Sequence, residues 1–470
     1  MKLPNYCDAK ERNKNKIETK RYVFDTKYEN LGNGKKYYIK TYGCQMNEHD
    51  SENIKALLEQ IGFSEIDILE QADLVILNTC AIRENAHNKM YGFLGRIKHL
   101  KETKNIITCI CGCMAQEENV VKSILNKYKW VDIVFGTHNI HELPTILFNY
   151  MTTNKMQIEV YSMEGSIIED MPVKKDSKYK AWVNIMYGCD KFCTYCIVPY
   201  TRGKQRSRNH IDILNEVKDL KENGYKEVTL LGQNVNAYGK DLDTNYDMAD
   251  LLSDVAKINI ERIRFVTSHP WDFTDKMIDV ISNNDNIMPY IHLPIQSGSD
   301  RILRMMGRRY TKDEYLTLYN KLKEKIPNVS ITTDIIVGFP SETDEDFNET
   351  LDIVDKCKFD GAFTFIFSPR ENTIASTLKD TITKEEKEKR LYKLNELVNK
   401  YSKMNNDKYL NKVVKVLIEG VSDKKNNMLM GYTDTMKLVN VKGSIDNIGK
   451  IVNVKINDVK TWSMDGEKID

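Results

Sequence analysis

The sequence predicts an α/β chain in three parts. These are an N-terminal parallel α/β domain, a central partial barrel of six strand–helix units, and a small C-terminal β-barrel. Three observations carry this prediction. The 470 residues exceed what one ordinary core takes, so several domains are expected. Two long stretches alternate nearly continuous apolar runs with helical periodicity, the mark of parallel strands covered on both faces. From about residue 411 the period changes to two, broken by Asn, Asp and Gly turns.

Residues 1–35, beginning "MKLPNYCDAKERNKNKIETKRYVF", are lysine-rich and poor in core formers, and read as a flexible arm without the apolar stretch of a signal peptide. The domain 36–150 opens with the strand "KYYIKT" (36–41), followed by the amphipathic helix "EHDSENIKALLEQIG". Strands follow at 72–79, 105–111 and 131–136, with helices over about 82–101 and 117–128. Residues 151–178 are polar and irregular, and are assigned as a linker. The domain 179–406 contains strands at 180–188, 226–233, 262–269, 287–296, 329–340 and 360–369, a shortened relative of the eight-unit barrel. A charged helix over about 383–406 closes it. Residues 407–470 form short alternating segments such as "VVKVLIEG" and "GKIVNVKI", which suit a five-stranded barrel.

Composition narrows the function. With 41% hydrophobic and 29% charged residues the chain is of the soluble globular type, and no apolar run approaches the ~20 residues that span a bilayer. A cytoplasmic location is expected. The net charge of +1 excludes a globally basic nucleic-acid binder but leaves room for local patches. Ten cysteines in such a chain point to metal ligation or catalysis, because the cytosol keeps thiols reduced.

Cys189, Cys193 and Cys196 form a C-x3-C-x2-C loop after the first barrel strand, the end at which barrel enzymes place their sites. Three thiolates from one loop suit an iron–sulfur cluster, which normally takes four, and so leave one iron open for another ligand. A zinc site or packed cysteines are the alternatives. Gly188 allows the turn, and Phe192 and Tyr195 are expected to screen the cluster from water.

Cys44, Cys80 and Cys113 each follow a strand of the first domain, where open α/β sheets bind ligands. Simple packing is the alternative, since free cysteine is often buried. Cys109 and Cys111 fall inside a strand and are read as packing residues, and Cys7 and Cys357 as non-ligands.

Two basic groups stand out: Arg202, Lys204, Arg206 and Arg208 in "TRGKQRSR", and Arg301, Arg304, Arg308 and Arg309 in "DRILRMMGRRY". Such groups contact phosphates, though a solvated charged face is the commoner explanation of a charge run. His269 and His292 read as packed histidines. The C-terminal region has ten lysines against eight acidic residues over 411–470, and only Tyr432 and Trp462 to stack on bases.

The loop "YGCDKFCTYCIVPYTRG" resembles the signature of radical S-adenosylmethionine (SAM) enzymes. "TYGCQMN", "NTCAIRE" and "CGCMAQ" resemble the N-terminal domain of the methylthiotransferases, a subfamily of them. The resemblance covers about 36–470 and includes a C-terminal barrel similar to the RNA-binding TRAM domain. It implies two [4Fe-4S] clusters, one on Cys189, Cys193 and Cys196 whose open iron chelates SAM, and an auxiliary one on Cys44, Cys80 and Cys113. It further implies that one SAM methylates a sulfur at the auxiliary cluster while another yields a 5′-deoxyadenosyl radical. Gly232, Gln233, Arg208 and Gly338 are then expected at the SAM site. Arg202, Lys204, Arg206, Arg308 and Arg309 are expected at RNA, with Arg206 an alternative for the SAM carboxylate.

"LLGQNVNAYG", "YCIVPYTRG" and "TSHPWDFTD" are similar to the group acting on isopentenylated adenosine beside the anticodon. Related groups act on threonylcarbamoyl-adenosine of tRNA or on a ribosomal protein. A non-catalytic RNA-binding iron–sulfur protein is the reading from another class. Expected partners are the tRNA anticodon stem-loop, an electron donor such as flavodoxin or ferredoxin, and a sulfur or cluster donor, with the chain acting as a monomer. The loop "FSPRENTIAS" departs from its relatives, with Asn372 and Ile374 in place of the usual glycine and proline.

Overall fold

The computed structural model describes every residue except 13–16, 82–83, 424, 426–427 and 470. The first residues do not behave as a free arm. Helix α1 (Tyr6–Glu11) is followed by strand β1 (Thr19–Arg21), and Lys2 bridges to Glu159.

The first domain is one parallel sheet. Its strands are β2 (Lys36–Tyr42), β3 (Ser64–Glu65), β4 (Leu74–Thr79), β5 (Ile107–Gly112), β6 (Ile133–Phe135) and β7 (Gln157–Glu159), in the order β3-β2-β4-β5-β6-β7. Helix α2 (Gln45–Gln60) follows β2, and α3 (Glu84–Lys101) follows β4. Every residue of β4 is buried, and the alternation splits between two cores. Val75 and Leu77 join the core on one face, and Leu74 and Ile76 the core on the other. Cys109 and Cys111 belong to the second core, as packing residues should.

The segment 151–178, expected as a linker, instead supplies β7 to this sheet and β8 (Ile167–Glu169), which pairs in parallel with β1. Both strands are three residues long and bury a single isoleucine each, Ile158 and Ile167, so the polar composition around them hid the pairing.

The central strands are β9 (Lys180–Asn184), the antiparallel pair β10 (Met186–Tyr187) and β11 (Arg206–Ser207), then β12 (Glu227–Leu231), β13 (Arg262–Phe265), β14 (Tyr290–His292), β15 (Ser330–Val337) and β16 (Gly361–Ile366). Two parallel three-stranded sheets, β13-β12-β9 and β14-β15-β16, are joined by one parallel bridge between Ile263 and Ile287. The result is an open arc of six strands with β9 and β16 at its edges. The run at 287–296 yields only three strand residues, because Pro289 and Pro294 flank them and cannot donate.

Strands β17 (Val413–Val421), β18 (Leu429–Thr433), β19 (Leu438–Lys442), β20 (Ile451–Val459) and β21 (Met464–Lys468) close into a barrel in the order β17-β18-β19-β21-β20. This small barrel docks on the starting ends of the central strands. Arg262, the first residue of β13, donates to the carbonyls of Tyr432 (2.9 Å) and Lys415 (3.0 Å). Lys437 pairs with Asp360 at 3.0 Å, just ahead of β16.

Candidate active site between two sets of cysteines

The first set lies where β10 ends. Gly188 has φ +70°, and a Cβ there would sit 2.1 Å from the Lys204 carbonyl, so only glycine fits. The Gln233 side chain accepts from the Gly188 amide, and the Cys189 amide donates to Gly203 O at 3.1 Å. Thr194 donates through its hydroxyl to Met305 O and through its amide to Met306 O. The loop is thereby fastened to several units of the arc. Cys189 and Cys193 are buried and Cys196 partly so. Burial pushes the Cys189 thiol up to about 12 and raises that of Cys196, to which Cys193 and Cys189 add; a bound metal replaces such protons.

Phe192 does not screen this loop. It is 48% exposed, with Arg12 over its ring at 4.5 Å. Tyr195 does pack inward, against Ile302, Met306 and Phe339.

The second set lies at the carboxyl ends of three neighbouring strands. Cys44 caps α2 after β2, Cys80 follows β4, and Cys113 follows β5. Gly112, at φ +90°, lets β5 pass close to its neighbour, for a Cβ there would meet Asn78 Oδ1 at 2.3 Å. Burial pushes the Cys113 thiol up to about 12, with Cys80 and Cys44 adding to the rise and Arg202 opposing it. Behind the three strand ends runs a buried amide lattice. Asn47 Nδ2 donates to Asn78 Oδ1 (3.0 Å), and Asn78 Nδ2 to Asn47 O (2.8 Å) and Ser51 Oγ (2.9 Å). The one signal of this lattice in the sequence is a polar residue, Asn78, near the end of an otherwise apolar strand.

Ala81, Cys113 and Ile197 form one small apolar cluster. Ala81 adjoins Cys80 and Ile197 adjoins Cys196, so the two sets face each other across the domain boundary. Among the described residues no three His, Cys, Asp or Glu side chains converge on a single metal ion. A cubane cluster offers separate irons to separate thiolates, and two triplets of soft sulfur ligands fit that need.

Three of the arginines expected to meet phosphate are inside the protein. Arg202, Arg206 and Arg308 are 3–5% exposed. Arg308 donates to Cys193 Sγ (3.5 Å) and Pro294 O (2.9 Å). Arg206 spends Nη1 on Gly165 O and Nη2 on Arg202 O, and burial pulls it down to about 10 although Glu164 opposes the fall. Arg208, expected at the SAM carboxylate, holds both oxygens of Glu169 and one of Glu216 at 2.6–2.9 Å. Lys204 is partly exposed, and Arg309 is exposed, over the Trp271 ring.

Gly232 follows β12, and a Cβ on it would press on Met186 at 2.5 Å. Gly338 follows β15 at φ +69° and donates to Glu342. His269 is buried as expected, whereas His292 faces the inside of the arc with Nε2 3.4 Å from Asp334 Oδ2. Phe363 and Phe365, opposite Asp334 and Ile336 in the β15–β16 register, stand exposed on the same side. Asn372 has φ +66°, a conformation asparagine tolerates, so the turn expected of glycine survives the replacement.

Residues 36–136 match the uncharacterized protein family UPF0004, 183–354 the radical SAM superfamily, and 407–469 the TRAM domain. The tRNA-2-methylthio-N(6)-dimethylallyladenosine synthase of Staphylococcus epidermidis is 52% identical over 98% of this chain and 91% of its own length. The protein so named from Bacillus cytotoxicus is 53% identical over 99% of this chain and 92% of its own. Among solved structures, the radical S-adenosylmethionine methyltransferase TsrM from Kitasatospora setae gives a TM-score of 0.53 at 12% identity, covering 73% of this chain and 77% of that one. That likeness concerns the fold. With more than half its residues shared along nearly its whole length, the chain belongs to the radical SAM family of tRNA-2-methylthio-N(6)-dimethylallyladenosine synthases.

Proposed function

We propose that the chain adds a methylthio group to carbon 2 of isopentenyl-adenosine beside the anticodon of tRNA. The names of its relatives support the substrate. The observation that carries the chemistry is the meeting of Ala81, Cys113 and Ile197, which sets two cysteine triplets face to face. Cys189, Cys193 and Cys196 would hold the [4Fe-4S] cluster that binds SAM, and Cys44, Cys80 and Cys113 the auxiliary one. When bound, the two supply a carbon radical and a sulfur for transfer, with one SAM spent as methyl donor and one as radical source.

The chain's own residues do the positioning. Gly188 and Gly112 set the turns that aim Cys189 and Cys113, and Ile197 and Ala81 keep water from the space between. Gly232, Gln233 and Gly338, at strand ends beside the first set, face SAM in this reading. Phe363 and Phe365 offer flat apolar surface to a base on the open side of the arc, where the nucleoside must leave its stack. Of the cations expected at RNA, Arg309 is exposed and meets phosphate in this reading, with Lys204 partly exposed beside the first cysteine set.

Electrons come from a carrier of flavodoxin or ferredoxin type, and replacement sulfur from a separate donor. No helix among the described residues is long and apolar enough to cross a membrane, and the reading places the enzyme with its tRNA in the cytoplasm as a monomer. The test is nucleoside mass spectrometry of tRNA from cells with and without the protein. Loss of 2-methylthio-isopentenyl-adenosine is expected. If that nucleoside persists, the substrate assignment is wrong and threonylcarbamoyl-adenosine or a ribosomal protein takes its place.

A further inference from the structure

Consecutive residues of one loop hold a ligand from each cysteine set. Helix α4 (Val198–Thr201) begins two residues after Cys196 and is capped by Arg202. Arg202 turns its side chain across the domain boundary, with Nε 3.1 Å from Cys113 Sγ and Nη2 2.6 Å from Asp50 Oδ2. Both partners are buried, Arg202 at 3% exposure and Asp50 at 4%. The next residue, Gly203, accepts the Cys189 amide at 3.1 Å. Arg206 donates to the Arg202 carbonyl at 3.0 Å and steadies it from below.

A guanidinium enclosed in this way is out of reach of an RNA phosphate. Taking a charge out of water is costly, and one carboxylate offsets only part of that cost. What remains is a cation donating to a cysteine sulfur. A hydrogen bond and a positive charge at a ligand thiolate favour the more negative, reduced form of a cluster and raise its potential. Asp50 acts in the opposite direction. Arg206 adds to the positive side, and the buried Glu164, packed against Gly203 and Arg206, to the negative.

We propose that Arg202 is a positioning residue that, balanced by Asp50, sets the reduction potential of the auxiliary cluster and, through Gly203, fixes that cluster against the first cysteine loop. The proposal rests on the reading that Cys44, Cys80 and Cys113 hold a [4Fe-4S] cluster.

The test uses the full chain with Cys189, Cys193 and Cys196 all changed to alanine, reconstituted anaerobically, so that only the auxiliary cluster forms. Iron content should be about four per chain. In a dye-mediated titration followed by electron paramagnetic resonance, Arg202→Gln should lower the reduced-to-oxidised ratio at fixed poise about tenfold, ~59 mV for a one-electron couple. Asp50→Asn should shift the midpoint the other way, and Arg202→Lys should restore part of the loss. A merely structural contact would not give opposite signs for the two partners. If Arg202→Gln and Asp50→Asn leave the midpoint unmoved, or move it in the same direction, the proposal is overturned while the cluster reading stands. If the starting protein binds no iron, the cluster reading falls and takes the proposal with it.

Discussion

At the scale of the residue, Gly112, at φ +90°, separates two cysteines of unlike place, Cys111 within β5 and Cys113 past its end. Thiolates that ligate must sit in turns and not in the middle of a ladder, which favours Cys113 and the five other proposed ligands over Cys111. The distinction between Cys111 inside β5 and Cys113 beyond Gly112 makes a sharp prediction. Cys113→Ala should lose roughly half of about eight irons per chain and abolish methylthiolation, whereas Cys111→Ala should keep its iron and cost about 1–2 kcal/mol of packing. Iron assay and a denaturant melt of both variants check this. Gly112→Ala should be worse than its size suggests. The φ of +90° and a contact of 2.3 Å with Asn78 both penalise a Cβ, for about 1–3 kcal/mol from backbone strain alone. The melt should show that loss, with iron falling in parallel. The arginines were the opaque residues. A run such as "TRGKQRSR" has the same letters whether its side chains meet solvent or turn inward to Asp50 and Glu169, and only the fold decides.

At the scale of the element, the apolar strands were readable and the polar edges were not. β4 and β5 announce themselves because both of their faces are buried. β1, β7 and β8 have three residues each, and among their apolar side chains only Ile158 and Ile167 are fully inside, too few for a period to show. The same blindness hid the role of the first residues. Arg12 lies under the first cysteine loop, with Nη2 2.7 Å from Cys189 O and 3.1 Å from Gly203 O, and Nη1 2.6 Å from Asp190 Oδ1. Hydrogen bonds to a charged group contribute about 1.5–3 kcal/mol each when shielded, and part of this site is open to water. Arg12→Ala should therefore raise amide exchange of the 189–203 loop by about tenfold. Unchanged exchange would mean that the loop is held by Gly203 and Gln233 without help from the N-terminal segment.

At the scale of the whole molecule, three domains could be counted from changes of period, but their mutual placement could not. Nothing in the C-terminal sequence announces that Lys437 will meet Asp360 or that Arg262 will reach Tyr432. Such contacts join residues far apart in the chain through single side chains, below the resolution of any pattern. With a net charge of +1, tRNA affinity under the proposed function rests on where cations cluster and not on their total. Arg309→Ala should reduce the slope of log affinity against log salt by about 0.7–0.9, one phosphate contact, without changing iron content. Titration of a tRNA stem-loop at several salt concentrations measures it.

The small barrel caps the starting ends of the central strands, while the cysteines lie beyond their finishing ends. The longest of those strands, β15, has eight residues, which sets the two ends about 26 Å apart at 3.3 Å per residue. The two ends differ in kind under the proposed function, with chemistry at one and RNA contact at the other. Under the proposed function a free nucleoside would meet only the chemical end, while a folded stem-loop is long enough to reach both, so that substrate length would enter recognition.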